Sequence, residues 1–312
     1  MTVALHPDLQ PAEWVVAEEC PLCEAPASAH AFFEGVVSEM ERLSYRICRH
    51  CGFVFQSPHP SRDWLRGYYR AGYHLHMHGQ HDPSPKTAWV ESRRAEHLLD
   101  FAAPYLDDVQ MHLDIGSSLG ALLNTFHSAF GCQSYGVEPA EVFRRSAKSE
   151  GIQVLGSLSD LDRGLANTFD LVSLSHVLEH MADPLGTLRR INHEWMAEHS
   201  HLLVEVPNLF GHRSLEFSHL FAFTRNSLEQ ILTRAGFKPL SVTVHGRPHS
   251  RRLPFYISAL ARRVSEPMTY SAPHPSIAWI RMRRRLGMLR LRATWAVTSR
   301  LLGRSRLTPW AS

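Results

Sequence analysis

Gly116 and Gly120 bracket a tight turn directly after the run Met111 to Ile115, in which His112 and Asp114 are the polar members. The run reads as a short strand, and Leu119 to Phe126 has the make-up of a helix start. A strand, a glycine turn and a helix put backbone N–H groups and open space beside a bound cofactor. The spacing is Gly-x-x-x-Gly rather than the Gly-x-Gly-x-x-Gly of a dinucleotide site. A second acid, Glu138, closes the short strand Ser134 to Val137 and stands 22 residues after Gly116. In a doubly wound sheet, a carboxylate at the tip of the second strand meets ribose hydroxyls there. Farther on, Phe169 to His176 predicts a strand whose end reaches the ligand-binding edge. His176, Glu179 and His180 are the titratable groups best placed to act as a base. Glu179 and His180 have a second role open to them, orienting their own loop by hydrogen bonds.

Four of the five cysteines form two knuckles, Cys20-x-x-Cys23 and Cys48-x-x-Cys51. Each knuckle lets two thiolates approach one ion from the same side, and two knuckles complete a tetrahedral sulfur site for structural zinc. Disulfides fit poorly in a chain without an export signal, and a redox Cys-x-x-Cys normally occurs once, at a helix start. His74, His76 and His78, with His81 and Asp82 nearby, share a face at strand spacing, so a second metal is geometrically open to them. They lack further carboxylate or thiolate partners at ligand spacing and read instead as loop histidines.

The order LDIGSSLG, YGVEP, FDLVSLSHVLEHMADP, HLLVEVPN resembles the class I S-adenosylmethionine-dependent methyltransferases, closest to the branch with the VLEH-x-x-DP signature. It covers roughly Val90 to Val244. The run after the second knuckle, C-x-x-C-G-F-V-F-Q-S-P-H-P, is similar to the end of a zinc-binding segment found N-terminal to such enzymes. The resemblance implies an α/β fold: a Rossmann-like doubly wound methyltransferase sheet, a small N-terminal zinc-binding module and a C-terminal basic helical extension. It implies S-adenosylmethionine as cofactor, with Asp114 and Gly116 near its amino-acid end and Ser117, Ser118 and Gly120 in the same loop. Glu138 would hold the ribose, and Ser175 and His176 would border the cofactor at the fourth strand. The branch often has an acid facing the adenine amine, where this sequence offers Ser157 or the later Asp160.

The elements that must position these groups can be read in order. Gln80 to Lys86 is a linker, and Thr87 to Leu106 a helix with Val90, Ala95, Leu98, Leu99 and Ala102 on one side. Glu141 to Glu150 is a helix ended by Gly151, and Ile152 to Leu155 a third strand. Asp183-Pro184 starts a helix, His201 to Val206 is the fifth strand, and Thr224 or Asn226 caps a helix ended by Gly236. Leu240 to Val244 is a late strand. Three units follow: 1–80 for the zinc module, 86–245 for the methyltransferase domain and 246–312 for the extension.

With 312 residues, 44% hydrophobic and 20% charged, the chain fits a globular protein with a sizeable core. It has no apolar run long enough to span a membrane, and its start lacks a secretory pattern, which predicts a cytoplasmic protein. The net charge of +3 hides a division. From Gln230 onward there are 16 Lys and Arg against one acid, Glu266, while the rest carries 17 basic and 29 acidic residues. Ile277 to Leu302 predicts a basic amphipathic helix: Trp279, Met282, Leu286, Leu289, Ala293 and Ala296 recur at steps of three and four among seven arginines. An anionic membrane surface, packing against the protein or a second copy, and nucleic acid compete for this helix, in that order of preference. The acceptor implied is a small molecule, sugar or lipid-linked compound in glycan or secondary-metabolite synthesis. The absence of an Asn-Pro-Pro-Tyr-type motif favours an oxygen or carbon nucleophile over nitrogen. The alternatives are a zinc-bearing RNA methyltransferase gripping phosphates and a methyltransferase-like binding protein without catalysis.

Overall fold

The computed structural model describes residues 13–37, 42–71, 73, 82–147, 152–213, 215–264, 270 and 275–302. The histidines at 74, 76, 78 and 81 lie outside the described residues, as does the end of the helix expected up to Glu150. The N-terminal part holds β1 (Trp14–Val15), β2 (His30–Val37), β3 (Arg42–Cys48), β4 (Val54–Gln56), β5 (His59–Pro60) and α1 (Arg62–Ala71). Next come α2 (Pro85–Ala102), β6 (Met111–Ile115), α3 (Ala121–Phe130), β7 (Gln133–Val137), α4 (Glu141–Ser146), β8 (Ile152–Leu155) and β9 (Phe169–Ser175). The chain continues with α5 (Pro184–Glu194), β10 (Met196–Pro207), β11 (Phe221–Ala222), α6 (Arg225–Arg234), β12 (Phe237–His245), β13 (Tyr256–Arg263) and α7 (Ile277–Leu302).

Seven strands form the main sheet in the order β12-β13-β10-β9-β6-β7-β8. Its five strands from β10 to β8 run parallel, and β13 is antiparallel to both β10 and β12. Alternation along each strand feeds two cores. Leu113, Val172, Leu174 and Val204 face one, while Leu171, Leu203 and Leu260 face the other with Leu98, Leu122 and Phe126 of α2 and α3. The chain leaves β6 toward β7 on one side and later returns to β9 on the other. That makes the carboxyl ends of β6 and β9 the switch point, where such sheets hold ligands.

The sheet does not stop where the sequence resemblance does. β13 lies beyond His245, yet it pairs with β10 through seven residue pairs from His201–Arg262 to Pro207–Tyr256. The apolar run Tyr256-Ile-Ser-Ala-Leu-Ala is buried on both faces, which explains its place inside the sheet rather than in an extension.

The N-terminal strands are joined to the rest through a second sheet, ordered β11-β4-β3-β2. β11, from the later half of the chain, pairs Phe221 with Phe55 and Ala222 with Val54. Phe53 stacks on Phe221 at 5.5 Å, and one continuous core runs from Cys20 and Tyr45 to Ile257. The Tyr45 hydroxyl, buried, lies 2.8 Å from the Glu216 carbonyl oxygen and 2.6 Å from that of His219. The cysteine-bearing segment therefore braces the 216–221 loop.

α7 is the helix expected, and it meets the body through Ile280 and Arg284 rather than through its apolar stripe. Ile280 and Arg284 are buried, and the Arg284 guanidinium donates to the carbonyls of Leu209 and His212, both at 2.6 Å. Gly287 lies so close to Phe210 that a Cβ would sit 1.7 Å from its carbonyl oxygen. The anticipated apolar stripe of Trp279, Met282, Leu286 and Leu289 points to solvent. Orphaned loop carbonyls at 209 and 212 need donors, and an arginine supplies several at once where a leucine supplies none.

Candidate functional site

The turn after β6 is shaped by backbone that only particular residues tolerate. Gly116 and Gly120 have φ of +76° and +75°, and a Cβ on Gly116 would come within 2.3 Å of Val177 Cγ2. Ser118 between them also has a positive φ, +47°, and two carboxylates hold it there. Its N–H donates to Glu138 Oε2 at 3.0 Å and its hydroxyl donates to Glu91 Oε1 at 2.8 Å. Glu91 Oε2 also accepts from the Leu119 N–H at 3.3 Å, and Glu138 Oε1 from Ala140 N–H at 2.8 Å. A carboxylate offers about four lone-pair sites, so Glu138 keeps acceptor capacity beyond its two backbone donors.

Below the turn, Asp114 Oδ1 accepts from the Ser173 hydroxyl at 2.6 Å, and Ser173 Oγ lies 2.8 Å from His112 Nε2. Burial pushes the His112 imidazole down to about 3, so it is neutral. Burial pushes Asp114 and Glu138 up to about 7 each and raises Glu91 as well. Their mutual repulsion adds to this. Three carboxylates thus converge on one short loop, an arrangement suited to a ligand carrying positive charge. Ser117 and Ser175 each bury a hydroxyl oxygen without a hydrogen-bond partner at the same edge. Ser157 instead caps its own turn, accepting from Ser159 N–H at 3.2 Å.

The second half of the site hangs on a residue without a motif of its own. Glu205 of β10 is fully buried with four partners. Arg94 Nε and His176 Nε2 lie 2.8 and 3.1 Å from its Oε1, and the Ser258 hydroxyl and His245 Nε2 lie 3.1 and 3.2 Å from its Oε2. Burial alone would raise this carboxyl. The hydrogen bonds from His176 and His245 and the charge of Arg94 outweigh burial and hold it well below the usual range. A carboxylate only accepts, so Nε2 of His176 carries a proton and Nδ1 is the nitrogen that can take one. Glu179 Oε1 stands 3.5 Å from that Nδ1. His176 has φ +57°, a conformation that turns it out of β9 at the strand's end.

Residues 88–242 match the model of a family described as a methyltransferase domain. The chain belongs to this methyltransferase family. Its cofactor is S-adenosylmethionine. No curated protein matches the chain in sequence. Among solved structures, the 1,6-didemethyltoxoflavin-N1-methyltransferase of Burkholderia thailandensis, with 1,6-didemethyltoxoflavin and S-adenosylhomocysteine bound, is similar at 16% identity and TM-score 0.52. The match covers 68% of this chain and 96% of that one. An S-adenosylmethionine-dependent methyltransferase from Archaeoglobus fulgidus matches at 20% identity and TM-score 0.46, over 58% of this chain and 100% of the other. One from Aquifex aeolicus matches at 17% and 0.46, over 58% and 94%. These likenesses are of fold.

In this methyltransferase the four knuckle cysteines do converge. Cys20 Sγ and Cys51 Sγ are 3.6 Å apart, as are Cys23 Sγ and Cys48 Sγ, and no disulfide joins them. Tetrahedral sulfurs around a zinc ion at about 2.3 Å stand ~3.8 Å apart, so the set fits that ion. His50 N–H donates to Cys48 Sγ at 3.4 Å, a bond that suits a thiolate. A second group forms where the turn after β9 meets the 216–221 loop: Glu179, His180 and His219, all buried, bring their donor atoms within 4.8 Å of one another. Sequence reasoning missed Glu91, Arg94, Glu205 and His219. Glu205 alone left a signal, an acid inside the apolar run Leu202-Leu-Val-Glu-Val206.

Proposed function

We propose that this methyltransferase acts on an oxygen or carbon of a small-molecule, sugar or lipid-linked acceptor, with His176 as the base. The carrying observation is the adjacency of two halves. The carboxylate-held glycine turn ends β6, His176 on its Glu205 anchor follows β9, and these strands are neighbours through the pair Ile115–Leu174. Bound cofactor supplies a methyl group activated on a sulfonium. Gly116, Ser117, Ser118 and Gly120 accept its amino-acid end, Asp114 supports that turn from beneath, Glu138 takes the ribose hydroxyls, and Ser175 and Ser157 flank the rest. At His176, Nδ1 takes the acceptor proton, and Glu179 stabilises the imidazolium while Glu205 fixes the tautomer. His180 orients the loop through its bond to the Ser218 carbonyl at 2.8 Å. Cys20, Cys23, Cys48 and Cys51 hold a structural zinc ion whose module braces that loop through Tyr45. The domain boundary falls after Arg263, since β13 completes the sheet.

The acceptor being lipid-linked is favoured by α7. Its exposed apolar side chains lie opposite the buried Ile280 and Arg284, with Arg283 and Arg290 on one flank and Arg285 and Arg292 on the other. An anionic leaflet uses both, since each basic residue near it adds ~1 kcal/mol and the stripe adds burial. Nucleic acid would use only the charge. No helix among the described residues is long and apolar enough to cross a membrane. The proposed association is peripheral, at a cytoplasmic face, through the outward side of α7. The test supplies cofactor labelled in its methyl group together with a cell extract divided into aqueous and lipid-extractable fractions. Label is expected in the lipid fraction and absent with His176→Asn. Label confined to RNA would favour the nucleic-acid reading, and no label in any fraction the non-catalytic one.

A further inference from the structure

Glu179 is fully buried, and neither of its carboxylate oxygens has a hydrogen-bond donor. Its nearest basic nitrogens are His176 Nδ1 at 3.5 Å and His180 Nε2 at 3.9 Å. Both distances are too long for hydrogen bonds. The tautomers sharpen the difficulty. His180 Nδ1 lies 2.8 Å from the Ser218 carbonyl oxygen, which only accepts, so Nδ1 carries the proton and Nε2 turns a lone pair toward Glu179. His176 does the same from the other side, because its Nε2 proton goes to Glu205. A buried carboxylate facing two imidazole lone pairs is a costly arrangement unless a cation lies among them.

His219 completes the ring of donors. It stands with its ring centroid 4.8 Å from that of His180, and Glu216 Oε1 lies 3.0 Å from its Nε2. A carboxylate behind one imidazole nitrogen and a carbonyl behind the other imidazole are the outer partners that orient histidine ligands on metals. Tyr69 and Tyr73 close over His180 at 5.5 and 5.6 Å between ring centroids. We propose that Glu179, His180 and His219 form a binding site for a divalent transition-metal ion, distinct from the four-cysteine site.

Two imidazoles and one carboxylate on one side of an ion suit a metal such as zinc, manganese, iron or cobalt and leave coordination positions open. The ion sits beside His176, so an open position would receive the acceptor's hydroxyl oxygen and lower its proton affinity. That role rests on the methyltransferase reading above; the ion itself does not. The same placement gives the cysteine segment a purpose in the chemistry, because Tyr45 holds the carbonyls of Glu216 and His219 on either side of Ser218, whose carbonyl orients His180.

Cobalt(II) is the probe. At four thiolates it shows intense sulfur-to-metal charge-transfer bands, and at two imidazoles and a carboxylate only weak visible bands. The full-length chain is titrated with cobalt and its metal content is measured per chain. Two ions are expected, one with thiolate bands and one without. Glu179→Gln and His219→Gln should each lose the second ion and keep the first, whose bands report that the chain is folded. Glu216→Ala should weaken the second ion by about 10- to 100-fold, the effect of removing an outer partner. One ion per chain with thiolate bands only, or a second ion bound equally by wild type and Glu179→Gln, would overturn the site. The readout needs neither cofactor nor acceptor, so its failure leaves the methyl-transfer reading standing.

Discussion

Glu91 and Glu138 hold the same residue, Ser118, the first through its hydroxyl at 2.8 Å and the second through its backbone N–H at 3.0 Å. One acid comes from a helix before the sheet and the other from the tip of β7, so the turn between them is set by two distant parts of the chain. Ser118 stays in a left-handed conformation because both hold it. The turn is therefore fixed before any ligand arrives, and the carboxylates that fix it are also those that would meet a cationic cofactor.

Glu91→Gln should weaken S-adenosylmethionine binding through the turn rather than through contact. Gln can accept from one donor but not replace the charge-assisted pair from Ser118 and Leu119, a loss of about 1.5–3 kcal/mol. Calorimetry should show affinity reduced roughly 10- to 100-fold with the fold unchanged by circular dichroism. Unchanged affinity would mean the turn holds its shape without Glu91.

The pH dependence of stability carries a definite sign at Glu138. Burial raises its carboxyl from 4.5 to about 7, so the folded chain binds this proton more tightly than the unfolded one. Its contribution is neutral below about 4.5, becomes destabilising as pH rises, and levels off above about 7 at a cost on the order of 3 kcal/mol. The neutral histidines titrate in the same range with the opposite sign, so the comparison must be with Glu138→Gln. Wild-type stability relative to that variant should fall between pH 4.5 and 7.5 in denaturant titrations. A flat difference would show that Glu138 is already ionised.

His176→Asn should lower kcat by 10²- to 10⁴-fold, the usual worth of a general base, with little change in cofactor affinity. Glu205→Gln should lower it too, and should also cost stability on the order of 3–5 kcal/mol because Arg94 loses its buried partner. Stopped turnover with unaltered stability in both variants would show that Glu205 does not anchor Arg94.

The proposed membrane association rests on the outward side of α7. Cutting the chain before the helix would remove Ile280 and Arg284 from the core, so point changes are the sound control. Leu286→Glu with Leu289→Glu should abolish co-sedimentation with anionic vesicles, and the wild type should bind more as anionic content rises. Equal recovery of both proteins at every composition would point to a second copy of the chain as the partner for this face.

How much of this was legible in the sequence follows from what each signal encodes. The strands β6 to β9 and the glycine turn are local patterns, and Gly116, Glu138 and His176 stand at their ends as the spacing predicts. The two cysteine knuckles are local in the same way, and the fold brings their four sulfurs together as the spacing predicts. Glu91 and His219 belong to no such pattern. Each acts across the fold, on a loop 27 residues away in the first case and toward Glu179, 40 residues away, in the second. α7 shows the limit of periodicity. A stripe of apolar residues marks a face without telling whether protein or something else covers it, and in this chain the face carrying Ile280, Arg284 and Gly287 is the one that meets the body. β13 was missed because it follows a long loop, past the reach of the family motifs.

The turn from Gly116 to Gly120, with Glu138, is the proposed binding site for S-adenosylmethionine. Isothermal titration of the full chain with S-adenosylmethionine, beside Glu138→Ala, tests it most directly. Removing a carboxylate that accepts two ribose hydroxyls costs about 1.5–3 kcal/mol. The variant should therefore bind roughly 10- to 100-fold more weakly than wild type. Equal affinities for the two proteins would contradict the account of the site.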